Sequence, residues 1–303
     1  MDLLTFHKMP INKLFFGSVI RFLKKQYFRI RAIITKPYYQ KLHSFSPTLT
    51  DCAKKVAERN LVICVFANKD YIPILKLWHR YFSANVKSKC LVIALDAKTF
   101  RFCNDERYES FFAPYMGGGY GLGFMQHQMN ITRKILDLNY ELLVSDIDAI
   151  WVKDPLKYTL SCKTDIVFSP GTFQPPEAYA KWGNVLCGGY FLLRPNEKVN
   201  SFLDDVQKRM EKEGDQPAIN HELLSRNLVW NDDETLYSIN LKGKSIMQSL
   251  NPRIGIAGDI SVALLPNRFF QRLKEDAEAL VVHPLAPKKS EDKLKIFKEM
   301  DLL

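Results

Sequence analysis

The stretch Leu142-Leu143-Val144-Ser145-Asp146-Ile147-Asp148-Ala149-Ile150-Trp151 constrains this chain more than any other. An apolar run enters a pair of aspartates spaced i, i+2, and an apolar run leaves it. In an extended strand, residues two apart project to the same side. The spacing therefore predicts Asp146 and Asp148 side by side at the end of a buried strand. Two adjacent carboxylates shielded from water repel each other and lose hydration, so they need a cation. Hard oxygen ligands suit Mg²⁺ or Mn²⁺, which carboxylates commonly hold together with substrate phosphates. The physical reading is a divalent-metal site for a phosphorylated ligand. A solvated turn is the plain alternative, and the Val, Ile and Trp flanks argue against it.

The surrounding pattern places that pair in a layered fold. Leu61 to Ala67 reads as a fully buried strand, ended by Asn68-Lys69-Asp70, and Tyr71 to Phe82 has helical spacing. Cys90 to Leu95 reads as a second buried strand, closed by Asp96. Phe124 to Leu138 has helical spacing and leads into the aspartate strand; Lys153-Asp154-Pro155 is a turn, and Asp165 to Ser169 a further short strand. Strands alternating with helices predict an α/β fold with a mostly parallel central sheet. Ligands in such sheets bind beyond the carboxyl ends of the strands. Asn68, Asp96 and the Asp146/Asp148 pair all fall at such ends. The glycine-rich run from Gly117 to Gly123 does not match GxGxxG and reads as a surface loop.

Charge distribution separates two regions. The 303 residues carry a formal net charge of +10, and 47% are hydrophobic, enough for one large globular domain. Residues 1 to 60 hold 12 Lys+Arg against 3 Asp+Glu, whereas the remainder holds 31 against 30. A nucleic-acid-binding domain carries its positive stripe on the folded body. The balance therefore predicts no nucleic-acid partner. It divides the chain into a basic, apolar-rich segment (1–59) and a folded domain (60–303). The basic segment also carries Leu14, Phe15, Phe16, Val19, Ile20, Phe22 and Leu23. Its longest charge-free apolar stretch, Leu14 to Ile20, is far shorter than the roughly 20 residues of a membrane span. No signal-peptide pattern is present. Such a segment can lie on an anionic membrane surface or pack as an ordinary helix on the domain. The six cysteines show no CxxC pair and no metal spacing. Reduced thiols suit a cytoplasmic, peripherally membrane-associated protein, and the pattern is also compatible with a secretory lumen.

Several motifs, in order, carry a resemblance. They are Ala94-Leu95-Asp96, Arg133-Lys134, Ser145-Asp146-Ile147-Asp148-Ala149-Ile150-Trp151 with Asp154-Pro155, and Gly188-Gly189-Tyr190-Phe191-Leu192-Leu193-Arg194. Asp215-Gln216-Pro217-Ala218-Ile219-Asn220, Leu264-Leu265-Pro266 and Val281-Val282-His283 follow. Over about residues 60 to 303 the chain resembles the nucleotide-diphospho-sugar transferases of the GT-A type with a DxD motif, and among them retaining glycosyltransferase family 77. The resemblance implies a single Rossmann-like GT-A domain that moves a sugar from a UDP-sugar to a glycan or other hydroxyl acceptor with Mn²⁺ (or Mg²⁺). It implies that Asp146 contacts the nucleotide ribose and metal-bound water, that Asp148 ligates the metal, and that His283 is the third protein ligand. Lys289 would pair with the diphosphate. Asn68 would line the base pocket, and Asp96, Gly188 and Gly189 would belong to the donor site. Lys134 would steer the donor sugar, Asp215 would hydrogen-bond it, and Gln216 would sit on the anomeric face opposite the leaving group. Cys187-Gly188-Gly189 stands where the family usually has Asn-Thr/Ser-Gly.

Two other functions are compatible with parts of the pattern. A sugar-nucleotide nucleotidyltransferase should carry a basic glycine-rich loop straight after the first strand, where this chain has Ala67-Asn68-Lys69-Asp70. A non-enzymatic membrane-surface binding protein would use the basic N-terminus and leave the DxD stretch without a role.

Overall fold

The structure, a computed structural model, describes residues 46–117, 121–231, 236–241, 243–272, 277–285 and 289–303, with the isolated positions 26 and 37. The expectation of a membrane-surface segment falls on residues outside these, as does the middle of the glycine-rich loop.

Hydrophobic runs form the centre of the molecule. The strands are β1 (Leu61–Ala67), β2 (Leu91–Ala94), β3 (Ser110–Phe112), β4 (Glu141–Ser145), β5 (Ile150–Trp151), β6 (Ile166–Pro170) and β7 (Leu186–Leu193). They continue with β8 (Val229–Trp230), β9 (Leu236–Leu241), β10 (Lys244–Ser249), β11 (Arg253–Ala257), β12 (Ile260–Leu264), β13 (Phe270–Gln271) and β14 (Val281–Val282). Nine of them form one sheet in the order β3-β2-β1-β4-β7-β6-β12-β11-β8. β3, β2, β1 and β4 pair in parallel, as do β6 and β12; β7 and β11 run antiparallel to both neighbours. The mostly parallel α/β sheet expected from the sequence is present. β9 and β10 make a separate hairpin. β13, β14 and β5 make a small three-stranded sheet that matters for the site.

The helices are α1 (Leu49–Val56), α2 (Ile72–Asn85), α3 (Ala97–Asp105), α4 (Leu122–Leu136), α5 (Leu156–Ser161), α6 (Pro176–Trp182), α7 (Glu197–Arg209), α8 (Asp215–Ser225) and α9 (Ser290–Glu299). Both faces of the sheet are covered, which is why the central strands are apolar at every position instead of alternating. Val62 and Cys64 of β1, with Leu142 and Val144 of β4, pack under α1, α4, α7 and α8 through Ala53, Ile135, Phe202 and Leu223. Leu61, Ile63 and Val65, with Leu143, face α2 and α9 through Leu75, Trp78 and Phe297. Burying each such side chain contributes roughly 1.5–3 kcal/mol, so the strand ends that carry the polar residues sit on a stiff platform. Because α1 buries Cys52, Ala53 and Val56, the folded body begins N-terminal of residue 60. All six cysteines are free and buried. No helix among the described residues is long and apolar enough to cross a membrane.

Candidate active site

The aspartate pair is not in a strand. β4 stops at Ser145, and β5 begins only at Ile150. Between them the Ala149 amide donates to the Asp146 carbonyl at 3.1 Å and closes a turn. The pair thus sits at the end of the buried strand as expected, but in a turn and not in extended chain, and its two carboxylates are shielded unequally. The Asp146 side chain is 51% exposed and that of Asp148 8%. The turn has tertiary causes. The Asp146 amide still donates to Gly189 of β7 at 2.7 Å, but Trp78 Nε1 holds the Ala149 carbonyl at 3.0 Å. Trp151 Nε1 donates to Ser145 Oγ at 3.1 Å, and that hydroxyl donates to the Asp146 carbonyl at 3.0 Å. The chain is pulled out of the large sheet at Asp146 so that β5 can join the small one.

That small sheet delivers the third member. β14 pairs antiparallel with β5, Val281 opposite Trp151 and Val282 opposite Ile150. The next residue is His283, whose amide donates to the Gln271 carbonyl of β13 at 2.8 Å. Its Nε2 lies 3.5 Å from Asp148 Oδ1 and 3.7 Å from Asp146 Oδ2. Candidate ligand atoms of the three residues all fall within 4.8 Å of one another. Gly189 makes room for the cluster. A β-carbon there would stand 2.3 Å from His283 Cε1 and 2.5 Å from Asp146 Oδ2. Two carboxylate oxygens and an imidazole nitrogen around a space that only glycine leaves open fit a divalent cation.

The electrostatics of the cluster are strongly polarised. Burial opposes ionisation of Asp148, but His283 and then Lys293 outweigh it and hold its carboxyl well below the usual range. Burial, and next the Asp148 charge, push the Asp146 carboxyl upward, to about 7. Half of the Asp146 side chain nevertheless meets water, so the neighbouring like charge is the cause that holds there. For His283, burial and Arg272 disfavour the charged ring, while Asp148 and Cys187 favour it and prevail, to about 9. Burial raises the Cys187 thiol; Arg272, followed by His283, more than offsets this and brings it to about 6.

Three of these neighbours were not singled out as site residues from the sequence. Lys293 of α9 donates to Asp148 Oδ2. Arg272 Nη1 lies 2.7 Å from His283 Nδ1 and 3.4 Å from Cys187 Sγ. Cys187 Sγ lies 3.7 Å from the same Nδ1 and accepts from the Gly189 amide at 3.4 Å. A guanidinium only donates, so at 2.7 Å it is Nδ1 that accepts from Arg272, which leaves Nε2 as the ring nitrogen facing the two carboxylates. Lys293 had one readable signal, a spacing of four from the buried Phe297, which puts both on one helix face.

The other expected residues separate into those that line the cleft and those that do not. A cavity of about 250 Å³ opens over the turn and is lined by Asn68, Tyr71, Met125, Asp146, Asp148, Asp215 and Lys293, among others. Asn68 also caps the short turn after β1, accepting from the Asp70 amide at 3.0 Å. Asp215 opens α8, and burial raises its carboxyl. Gln216 donates from its side-chain amide to the Gln174 carbonyl at 2.7 Å. Beside them, a β-carbon on Gly188 would lie 3.7 Å from Asp215 Cγ and 3.7 Å from Gln216 Cβ. Asp96 follows β2, but its carboxylate accepts from the Thr99 amide at 2.9 Å and the Lys69 amide at 2.6 Å, capping α3 and tying the two strand ends together. Lys289 is exposed at the N-cap position of α9. Lys134 is exposed nine residues after Met125, about two and a half helical turns, and so on the side of α4 away from the cleft. Gln128 is the polar residue that α4 presents there.

Comparison with known proteins identifies the family. The sequence profile of the nucleotide-diphospho-sugar transferases matches residues 85–297. Arabinosyltransferase RRA2 of Arabidopsis thaliana is 24% identical, aligned over 64% of this chain and 52% of its own length. A second Arabidopsis protein, UDP-D-xylose:L-fucose alpha-1,3-D-xylosyltransferase MGP4, is 25% identical over 57% of this chain and 56% of its own. The chain thus spans about half the length of these relatives. Among solved structures, an active-site mutant of LgtC superposes with a TM-score of 0.43 at 11% identity, covering 78% of this chain and 95% of that one. With that profile spanning more than half of its residues, the chain belongs to the nucleotide-diphospho-sugar transferase family.

Proposed function

We propose that the protein is a metal-dependent, retaining glycosyltransferase that moves a sugar from a UDP-sugar to a hydroxyl of a glycan or glycoconjugate. The observation that carries this is the convergence of Asp146, Asp148 and His283 on one point of a cleft that also holds Asn68 and Asp215. Asp146, Asp148 and His283 would hold the cation, which when bound supplies positive charge against the departing diphosphate. The chain's own groups do the rest. Asn68 and Tyr71 border the end of the cleft nearest β1, where the nucleoside would lie. Asp215, with its carboxyl raised by burial, would hydrogen-bond the sugar and offset charge that develops on its ring. Gln216 packs next to Gly188 below it. Among the described residues lining the cleft, Asp215 is the one carboxylate left once Asp146 and Asp148 serve the metal, so no pair remains for a double displacement. The acceptor hydroxyl would attack from the leaving-group side. The new bond to the anomeric carbon forms as the bond to the diphosphate breaks, and the hydroxyl proton passes to the diphosphate. Both Arabidopsis relatives are named for pentose transfer, which makes UDP-pentoses the first donors to assay. The basic N-terminal segment is proposed to rest on an anionic membrane surface.

Isothermal titration with UDP, with and without Mn²⁺, tests the site. Wild-type protein should bind UDP far more tightly with Mn²⁺. Asp148→Asn, which keeps shape but removes charge, should lose that dependence and nearly all transfer, and His283→Ala should weaken both less completely. Mn²⁺-dependent UDP binding in Asp148→Asn equal to wild type would show that the cation is held elsewhere.

A further inference from the structure

The two oxygens of Asp148 are already engaged. Oδ1 faces His283 Nε2 at 3.5 Å, and Oδ2 accepts from the Lys293 ammonium. The ammonium is well shielded, with its side chain 13% exposed, and lies 5.4 Å from the centre of the Tyr71 ring. Its helix is anchored by the fully buried Phe297, so Lys293 moves by swinging its four-carbon stem and not by shifting its backbone. The stem lies along the wall of the same cleft that Asp146, Asp148 and Asp215 line. A dication and an ammonium repel each other on one carboxylate. Sharing one carboxylate, each lowers the other's affinity for it, and the space open to a displaced ammonium is the cleft itself.

We propose that Lys293 is a built-in competitor for the cation at Asp148, released into the cleft when metal and nucleotide bind together. The inference rests on the metal–nucleotide reading of this site. Alone, a divalent ion has to displace an ammonium that is hydrogen-bonded to a nearly buried carboxylate, and that bond is lost. With a nucleoside diphosphate present, the displaced ammonium meets a new anion in the cleft, and its hydrogen bonds to phosphate oxygens replace the one it lost. Lys293 thereby couples the two ligands: metal alone binds weakly, and each ligand raises the affinity for the other by the same factor. The device also keeps the carboxylates neutralised in the metal-free protein, where two adjacent charges would repel.

The test is calorimetric titration of the full chain with Mn²⁺ alone, with UDP alone and with UDP at saturating Mn²⁺, for wild type, Lys293→Met, Lys293→Gln and Lys293→Arg. Removing the ammonium should tighten Mn²⁺ binding without nucleotide and weaken UDP binding in the presence of Mn²⁺, each by about tenfold, the scale of one charge-assisted hydrogen bond. Lys293→Gln keeps most of the stem and provides the same reading should Lys293→Met fold poorly. Lys293→Arg, which keeps the charge, should stay near wild type for Mn²⁺ alone. A merely structural role for Lys293 would weaken both ligands together. Mn²⁺ affinity that is unchanged or reduced in the neutral variants overturns the inference and leaves the site reading standing. Wild-type protein that binds neither Mn²⁺ nor UDP overturns the site reading itself.

Discussion

Gly189 offers a sharp test of the site geometry, because its neighbour serves as the control. Its backbone is ordinary extended strand, so alanine is acceptable there on conformational grounds. The obstacle is space. An added β-carbon at 2.3 Å from His283 Cε1 and 2.5 Å from Asp146 Oδ2 falls about 1.1 and 0.9 Å short of the 3.4 Å at which ordinary contact begins. Neither neighbour yields easily, because His283 is tied to Gln271 through its backbone and Asp146 to Gly189 itself. Ligand distances in metal sites tolerate shifts of only about 0.2 Å, so a displacement of about 1 Å disables one ligand. We expect Gly189→Ala to weaken Mn²⁺-dependent UDP binding about 100-fold, or about 2.7 kcal/mol, and to lower stability by about 1–3 kcal/mol through overpacking. At Gly188 the added carbon would meet Asp215 Cγ and Gln216 at 3.7 Å, an ordinary contact. Gly188→Ala should therefore keep Mn²⁺-dependent UDP binding and act, if at all, on donor-sugar turnover. Calorimetry with and without Mn²⁺ on both variants, with thermal melts as the folding control, measures the contrast. Equal UDP binding by Gly189→Ala and wild type would refute the placement of His283 and Asp146 around this space.

Other predictions follow from the same site and from the charge distribution. Because His283 is held up at about 9 without metal, a cation that takes Nε2 must displace a proton. Mn²⁺ affinity should therefore rise by close to tenfold per pH unit between about 7.5 and 8.5, and more steeply below about 7 where Asp146 also holds a proton, with proton release seen as a buffer-dependent binding enthalpy; a flat profile would remove His283 as a ligand. The same shift predicts that the charged His283 stabilises the metal-free fold fully below its unfolded pKa of about 6.5, and that this contribution is lost as pH rises through about 9, lowering the metal-free Tm. Gln216→Ala should slow sugar transfer while leaving UDP affinity nearly unchanged, and proton NMR of the early product from an α-linked UDP-sugar should show an α-anomer. A β-signal would move the search to a general base elsewhere in the cleft. Deleting residues 1–45, which precede α1, should leave the body folded and reduce co-sedimentation with anionic liposomes. Equal co-sedimentation of the two forms would exclude the surface role.

Local pattern was enough to read the layered sheet and the presence of the aspartate pair. Leu61–Ala67 forms the strand its unbroken apolar run predicts, and Asn68 stands at its carboxyl end. Helical spacing placed α2 and α4 to within a few residues of their ends. Asp146 and Asp148 stay close along the chain, and the turn after β4 still brings both carboxylates to His283, so their partnership survived although the strand ends at Ser145. How they are presented was beyond the sequence. Strand period describes a chain hydrogen-bonded on both sides, whereas this segment leaves one sheet for another because Trp78 and Trp151 bond the turn from a distance. Arg272 and Cys187 meet His283 because β14 pairs with β5 and lies beside β13 and β7, a register no local periodicity encodes. Lys289 and Lys293 belong to one charged run that reads as solvated. α9 packs through Phe297, four residues beyond Lys293, and so leaves Lys289 in water and buries Lys293 against a carboxylate 145 positions earlier. Sequence determines which groups are near each other along the chain and which faces are apolar. Only tertiary packing decides which distant charges share a cavity, because that depends on how whole elements dock and not on the residues between them.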